Sequence, residues 1–404
     1  MKISIITVFP ELYEQFLKTS IIARAIDRKI LDFQLIRFSD MCDPKDRIDE
    51  STCGHGVGMI LKPEVVEKSI EHCEKVWGKG YKIFFSPQGE KLDQSLLKTF
   101  AKQRVCVAKE AGENREAEEH IILVCARYEG IDARVEQYYA DKVLSIGDYV
   151  VMGGDIPAQV FLESFLRYVP GVVGKQESVE HDSFTGPFLD YPEYGLPVEW
   201  KDKKIPDIVL SGNHKEIDNW RQDEACKKTV QSRFDWILRS NLSDKDKELC
   251  RRQIPNHYVA LMHSEIIVKG KGLGHTSVTS LDIHDIARSS ATYGVENLFM
   301  VSQLEDQRAI MQEFLGFWLS DRGKGYNSSR FEAVRRVIPS DTLDNVKSLI
   351  RDKEGVDPII VSTSAKVYGH GKKIDYHNQG EVWNHGRPVL LVFGTGQGLG
   401  EPVL

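Results

Sequence analysis

The sequence has no Cys-x-x-Cys pair, no apolar run of membrane-spanning length and neither of the common nucleotide loops. Its seven cysteines, Cys42, Cys53, Cys73, Cys106, Cys125, Cys226 and Cys250, are odd in number and widely spaced. That pattern argues against a disulfide framework or a zinc site and fits a reducing, cytoplasmic compartment. Apolar runs such as 121–126 and 388–393 fall far short of the roughly 20 residues that cross a bilayer. The start runs from Met1 through Phe9 directly into Pro10 with no small-residue cleavage site, so it reads as a buried strand and not a leader. Without G-x-x-x-x-G-K-[ST] there is no phosphate loop for a nucleotide hydrolase, and without G-x-G-x-x-G opening a helix there is no dinucleotide fingerprint. The run Gly394 to Gly400 imitates that fingerprint, but its glycines alternate with the wrong spacing. No H-E-x-x-H occurs and no nucleophile–base dyad stands out, which points to positioning and proton removal and away from covalent catalysis.

What is present describes a globular protein. Hydrophobic residues make up 41% and charged residues 28% of 404 positions, enough for two or three packed domains. A net charge of −7 speaks against bulk electrostatic capture of nucleic acid but leaves room for a local basic face. Strand-like runs at 2–9, 33–38, 81–85, 121–125 and 143–146 alternate with helical ones at 63–76, 94–103 and 158–169. Alternation of this kind predicts a mostly parallel α/β sheet covered on both faces. Pro170-Gly171 stops the last helix, and 171–200 reads as a long Pro/Gly-rich lid or linker. A helical segment follows, with Asn213 and Glu216 resembling a capping box. Lys227, Lys228, Arg233, Arg239, Arg251 and Arg252 make it the best basic-patch candidate, against the plainer reading of a solvated helix face. From His257 the α/β pattern restarts, with strands at 257–263, 297–302, 358–361 and 388–393, helices at 285–293 and 305–319, and a Gly/Ser-rich loop at 322–329.

Three strand ends carry the candidate chemistry. Ser86-Pro87-Gln88-Gly89 follows the strand at 81–85; Tyr128-Glu129-Gly130-Ile131-Asp132 follows 121–125; Ser145 to Gly154 follows 143–146. Ligands of open α/β sheets sit at the carboxyl ends of the strands, and glycine marks sharp turns or close backbone approach. Each turn alone is weak; three together describe a pocket for a polar small molecule, with Tyr128 as an aromatic wall and loop N–H groups able to read an adenine edge. Asp182 lies within the long loop, where a turn or cap residue is the plainer reading, and Arg167 lies at a helix end, where a cation also suits the dipole.

Residues 1 to about 252 resemble the bacterial tRNA (guanine-N1)-methyltransferase family, TrmD. The matching blocks are Ser86 to Gly89, Arg127 to Asp132, Ser145 to Pro157, Arg167-x-x-Pro170-Gly171-Val172, Asp182-Ser183-Phe184 and Leu210-Ser211-Gly212-Asn213-His214-x-x-Ile217-x-x-Trp220-Arg221. Two positions depart from the family pattern: His55 within Gly54 to Met59, which alters backbone approach to the tRNA, and Ala126 in place of a glycine, which slightly crowds the cofactor. Neither removes a reacting group. The resemblance implies a SPOUT fold, in which the strand-end loops form a deep trefoil knot holding S-adenosylmethionine in a bent conformation. It also implies an obligate homodimer whose active sites are completed by the partner subunit, Mg²⁺ in catalysis, and tRNA as the partner, with neither DNA nor a membrane involved.

The implied activity is methyl transfer to N1 of the guanosine 3′ of the anticodon. Asp182 is the expected base, Arg167 the cation on the guanine oxygen, and Glu129 a carboxylate beside the cofactor or metal; no metal ligand set is fixed. The expected cofactor contacts are Ser86, Pro87, Gln88 and Gly89; Ala126, Tyr128, Glu129 and Gly130; and Ser145, Ile146, Gly147, Asp148, Tyr149, Val151, Gly153, Gly154 and Pro157. The expected RNA contacts are Gly58, Arg167, Ser183, Asn213, His214, Lys227 and Lys228. The domains expected are 1–168 for cofactor binding and catalysis, 169–198 as a lid carrying the base, 199–253 as a helical tRNA-binding domain, and 257–404 as a second SPOUT-like domain.

That last region is similar to a second family of RNA methyltransferases through Thr276 to Ser289, Ser362 to Ala365 and Phe393 to Leu399. The stretch Ile286 to Gly294 also resembles the arginine-bearing motif of ribose 2′-O-methyltransferases. Candidate site residues there are Arg288, Thr363, Ser364, Gly394, Thr395, Gly396 and Gly398. The resembled family continues past this point with another cofactor loop and a closing helix. The expectation is therefore an incomplete second domain without methyl transfer of its own, Arg288 being vestigial or structural. A non-catalytic RNA-binding or dimerisation module is the alternative.

Overall fold

In a computed structural model the described residues are 1–404 except 55, 57, 107–118, 175–181, 270–271, 365–370, 376–378 and 404. The departure at His55 and the position Ala365 of the motifs above lie outside the described residues. The chain divides into two compact units, Met1–Gly186 and Pro187–Leu404.

In the first unit, β1 (Lys2–Thr7), α1 (Glu11–Leu17), α2 (Ser20–Asp27) and β2 (Asp32–Arg37) lead into a short hairpin of β3 (Asp49–Ser51) and β4 (Met59–Leu61). Then come α3 (Pro63–Trp77), β5 (Tyr81–Lys91), α4 (Gln94–Ala101), β6 (His120–Val124), α5 (Ala133–Tyr139), β7 (Lys142–Ser145) and α6 (Asp155–Phe165). The main sheet is wholly parallel in the order β2-β1-β6-β5-β7. Its central strands β1 and β6 are mostly apolar because both faces are buried. Ile3 and Ile5 of β1 with Ile121 and Leu123 of β6 enter one cluster, and Ile6, Ile122 and Val124 enter the other. Successive side chains point to opposite faces, so a doubly covered strand needs no polar alternation. The third helix expected for this region begins at Asp155, three residues earlier than the periodicity suggests, and tightens into a 3₁₀ turn at Leu166–Tyr168.

The second unit opens with the two-residue strands β8 (Glu199–Trp200) and β9 (Lys203–Lys204) and the helices α7 (Asp207–Leu210), α8 (His214–Ser232), α9 (Phe234–Arg239) and α10 (Asp244–Gln253). The chain then forms β10 (His257–Met262), a hairpin of β11 (Ile266–Val268) and β12 (Gly272–Gly274), α11 (Ser280–Thr292), β13 (Leu298–Val301) and α12 (Glu305–Trp318). It ends with α13 (Asp321–Tyr326), α14 (Ser328–Val334), β14 (Val337–Ser340), α15 (Leu343–Glu354), β15 (Ile359–Ser362), α16 (Gly380–Trp383) and β16 (Val389–Gly394). The sheet is again parallel, in the order β14-β13-β10-β16-β15. Cys226 and Val230 of α8, Ile237 of α9, and Leu249 and Cys250 of α10 share one apolar cluster with Val382, Trp383 and Val389. The helical segment and the second sheet are thus packed as one body.

Two local expectations need correction. Residues 322–329 are helical on either side of Asn327, not a loop: Ser320 caps α13 through the Gly323 N–H at 3.4 Å, and Asn327 caps α14 through the Arg330 N–H at 2.9 Å. Side-chain caps of this kind satisfy the first helical donors and outweigh the glycine penalty. At α8 only half of the capping box forms, with the Asn213 side chain accepting from the Glu216 N–H at 3.4 Å. Full capping boxes form instead at Ser243/Asp246 and Thr279/Asp282.

Candidate cofactor site

A bulge within β5 and the loops after β6 and β7 converge on a cavity of about 400 Å³ in the first unit; Ser86 to Gly89, expected to follow the strand at 81–85, interrupt a strand that continues to Lys91. The bulge forms the first loop: β5 pairs with β7 at Ile83–Phe85, loses register, and pairs again at Glu90–Lys91. Ser86 to Gly89 bulge out between, with the Gln88 N–H donating to Ser86 Oγ at 3.2 Å. Gly89 makes this possible, since a Cβ there would lie 2.7 Å from the backbone of Leu144. The second loop turns through Tyr128, at φ +60°, a left-handed conformation uncommon outside glycine. Its Glu129 N–H donates to Met59 O at 2.9 Å, and the Leu61 N–H donates back to Gly130 O at 3.1 Å. The β3–β4 hairpin is therefore docked on the loop, and Gly58 lies so close that a Cβ would fall 2.6 Å from Glu129 Oε1. The third loop closes on the second through the Gly154 N–H and Ala126 O, 2.7 Å apart.

Of the residues expected to touch a cofactor, Ser86, Pro87 and Gln88, then Ala126, Tyr128, Glu129 and Gly130, then Ser145, Ile146, Gly147, Tyr149, Val151, Gly153, Gly154 and Pro157 all line this cavity. Gly89 and Asp148 do not. Gly89 packs under the sheet edge, and Asp148 points outward to pair with Lys91 at 3.0 Å. Arg127 and Glu136 also line the cavity, although neither is among the contacts expected from the sequence. The cavity is mostly apolar wall with backbone groups and two carboxylates, Glu129 and Glu136, the general make-up of a small-molecule site.

Behind the wall lies Asp155, fully buried. It accepts from Thr7 Oγ1 at 2.5 Å, Tyr13 OH at 3.3 Å and Arg127 Nε at 2.8 Å. Burial, followed by the neighbouring Cys125 thiol and Asp155 carboxylate, pushes the Tyr13 phenol well up and keeps it a donor. Burial also pushes the Cys125 thiol up, with Asp155 adding to it.

Arg167 and Asp182 are brought together, the guanidinium donating to Asp182 Oδ2. Asp182 begins a turn in which Thr185 donates to its carbonyl through both N–H, at 3.2 Å, and Oγ1, at 2.6 Å; Ser183 sits within that turn. This pair is not part of the cavity lining of its own chain. In the second unit, His214 is the exposed first residue of α8, Lys228 Nζ donates to Asp190 O at 3.3 Å, and Lys227 lies 3.9 Å from Glu224. Arg221, Arg233, Lys247 and Arg252 likewise have acidic partners nearby, which weakens the patch as a source of free positive charge.

Thr363 and Ser364 follow β15, and Gly394 ends β16, its neighbour in the sheet, with Thr395 to Gly398 following. The Thr363 N–H donates to Val392 O at 3.1 Å, and Thr395 Oγ1 donates to Met262 O at 2.8 Å. Thr395 Oγ1 also meets Thr276 Oγ1 at 2.6 Å, and Thr276 meets His263 Nδ1 at 3.1 Å. Gly394 is pressed against Leu399, and Gly396 and Gly398 both have positive φ. Arg288 is an exposed side chain on α11, 4.0 Å from Asp285.

Both sheets have the build of α/β methyltransferase-like domains, consistent with the SPOUT family. Residues 1–239 match the family model of the tRNA (guanine-1)-methyltransferase TrmD, and residues 256–404 match that of a SAM-dependent RNA methyltransferase. The chain is 34% identical over 413 aligned positions to a tRNA (guanine-N(1)-)-methyltransferase of Nitratidesulfovibrio vulgaris, an alignment covering all of this chain and 91% of that protein. A protein of the same name in Oleidesulfovibrio alaskensis is 30% identical over 410 positions, again covering all of this chain and 91% of the relative. A shorter relative of that name in Geobacillus kaustophilus is 36% identical over 249 positions, covering 61% of this chain and 96% of its own. The chain belongs to the TrmD family, with a methyltransferase-like segment following the family's own span. No helix among the described residues is long and apolar enough to cross a membrane.

Proposed function

We propose that the first unit transfers a methyl group from S-adenosylmethionine to N1 of the guanosine 3′ of the anticodon in tRNA. The observation that carries this reading is the convergence of the β5 bulge and two strand-end loops on one cavity, in a chain of the TrmD family. The glycine-lined walls fit the cofactor, whose adenine would lie against the backbone of 126–130 and 145–149 with Tyr128 beside it. When bound, S-adenosylmethionine supplies an electrophilic methyl group. The chain's own task is to make guanine N1 a nucleophile. Asp182 takes the N1 proton, Arg167 balances the negative charge that develops on the guanine oxygen, and the N1–C bond forms as the S–C bond breaks. Glu129 lies at the cavity wall, where it orients the cofactor. Mg²⁺ fits here only as a shared ion. Glu129 and Glu136 supply carboxylates, the described residues hold no group of three metal-ligating side chains, and magnesium accepts one or two carboxylates with water or phosphate.

A homodimer is part of the same proposal. Asp182 and Arg167 do not line the cavity of their own chain, so they would act on that of a partner subunit. Val150 is 84% and Met152 89% exposed on the loop at the cavity rim, followed by Ile156 and Val160 on α6, and such apolar surface suits an interface. The knot of the SPOUT fold belongs to this reading, as does a tRNA surface on the helices 213–252 reaching the phosphate backbone. The second unit is read as a further RNA methyltransferase domain, its rival a module that only binds RNA. Mass spectrometry of nucleosides from tRNA incubated with the chain and S-adenosylmethionine tests the main reading. It expects 1-methylguanosine from the unaltered chain and none from Asp182→Ala, while that variant still binds the cofactor. Normal turnover by Asp182→Ala overturns the assignment of the base.

A further inference from the structure

Asp155 plays no part in the reaction described above, yet its carboxylate accepts hydrogen bonds from three side chains beside the cavity. Its carboxylate is fully buried, where an unpaired charge would be expensive. It sits in the first turn of α6, a position that favours an anion. One oxygen receives Thr7 and Tyr13, from the end of β1 and from α1; the other receives Arg127, from the loop after β6. Arg127 lines the cavity, stacks with its guanidinium 4.8 Å from the Phe9 ring and reaches Met152 O at 3.5 Å. Three separate segments are thereby fixed to one side chain; the loop after β6 is a cavity wall, and Asp155 itself directly follows Gly153 and Gly154 of another wall.

We propose that Asp155 is a positioning residue for cofactor binding, acting through Arg127 to set the spacing between the loop at 126–130 and the loop at 145–154. This rests on the reading of the cavity as the S-adenosylmethionine site. Backbone donors and acceptors on the two loops bind a common ligand only when their separation is right. The Gly154 N–H to Ala126 O bond holds one point of that seam and Asp155–Arg127 a second, so the pair stops the loops from pivoting about the first. Substituting Asn at 155 keeps the shape and the Thr7 contact but removes the charge that Arg127 answers.

The test is isothermal titration of the whole chain with S-adenosylmethionine and with its demethylated product. Asp155→Asn is expected to weaken both ligands by about tenfold or more, since small misplacements of positioning groups are amplified in this way. The unliganded unfolding midpoint of Asp155→Asn should fall with the loss of the buried ion pair, and titrations are made well below that midpoint, where the affinity for tRNA should stay near that of the unaltered chain. Arg127→Met should weaken the ligands to a similar degree, and the double variant no further. If Asp155→Asn does not fold, Arg127→Met carries the test alone. Unchanged cofactor affinity in a folded variant, or full additivity in the double one, overturns the proposal. If the unaltered chain binds neither ligand, the reading of the cavity falls first and this proposal with it.

Discussion

Arg167 donates to the carboxylate of Asp182, 15 residues further along the chain, and so holds a candidate base beside a candidate oxyanion partner before any RNA is bound. If the two act as a unit, their losses will not add. Asp182→Ala and Arg167→Gln should each lower single-turnover methyl transfer by about a hundredfold or more, in the range seen for positioned acid–base groups. The double variant should be little worse than the poorer single one. Multiplicative losses would mean that the residues work independently.

The seam between the second and third loops leaves no room for a side chain at Gly154. A Cβ there would lie 2.8 Å from Ala126 N and 2.9 Å from Cys125 Cα, both backbone atoms that cannot swing aside. Gly154→Ala should therefore weaken S-adenosylmethionine by about tenfold or more through displacement of the cofactor loop. Gly174→Ala meets nothing within 4 Å and should bind normally. Equal titrations for the two variants would contradict the close-approach argument.

Acid should destabilise the fold through its buried histidines. Burial holds the His120, His257 and His263 rings below their ordinary value, against smaller effects from neighbouring groups. Above pH of about 6.5 folded and unfolded chains are both neutral at these rings, and no stability depends on them. As pH falls below that value the unfolded chain takes up protons the folded chain refuses, so stability declines until the buried rings themselves titrate. The unfolding midpoint should drop between about pH 6.5 and 5, and His120→Gln should remove part of the drop. A midpoint flat across that window would be the contrary result.

Trp383 ties the helical segment to the second sheet. Its ring meets Phe234 edge-on at a centroid distance of 4.3 Å, and its indole N–H donates to His257 Nε2 at 3.2 Å. Trp383→Ala should cost about 3–5 kcal/mol, typical of a large buried ring. Denaturant unfolding followed separately in the two units should place that loss in the second unit.

Charge reversal of both Lys227 and Lys228 should weaken tRNA binding and reduce its salt slope by about one for each phosphate that is no longer neutralised. The ion pair of Lys227 with Glu224 makes Lys228 the larger contributor. Filter binding across a salt series reads this directly, and an unchanged slope would leave the helices as a solvated surface.

The parallel sheets were legible because strands buried on both faces, such as 2–7 and 120–124, are apolar without alternation. The cavity was legible because the β5 bulge and the two strand-end loops carry glycine and aromatic blocks. Strand β14 escaped because it is short, only partly buried and interrupted by Pro339, a residue tolerated on the sheet edge it occupies. Asp155 escaped for another reason. In a Gly-Gly-Asp sequence it looks like any helix-start carboxylate, and its partners Thr7, Tyr13 and Arg127 are 148, 142 and 28 residues away. No local pattern encodes a meeting of that kind.

The apolar cluster that joins α8, α9 and α10 to Trp383 and Val389 has a consequence for the order of synthesis. A chain made from its N-terminus completes α10 at Gln253 long before Trp383 is added, a gap of 383 − 253 = 130 residues. Throughout that interval the faces of Cys226, Val230 and Leu249 lack the surface that covers them in the finished protein. Uncovered apolar faces on a nascent chain are where misassembly begins. Within the second unit, the segment around Trp383 and Val389 thus acts on the helices as a late-arriving cover, whatever chemistry that unit performs.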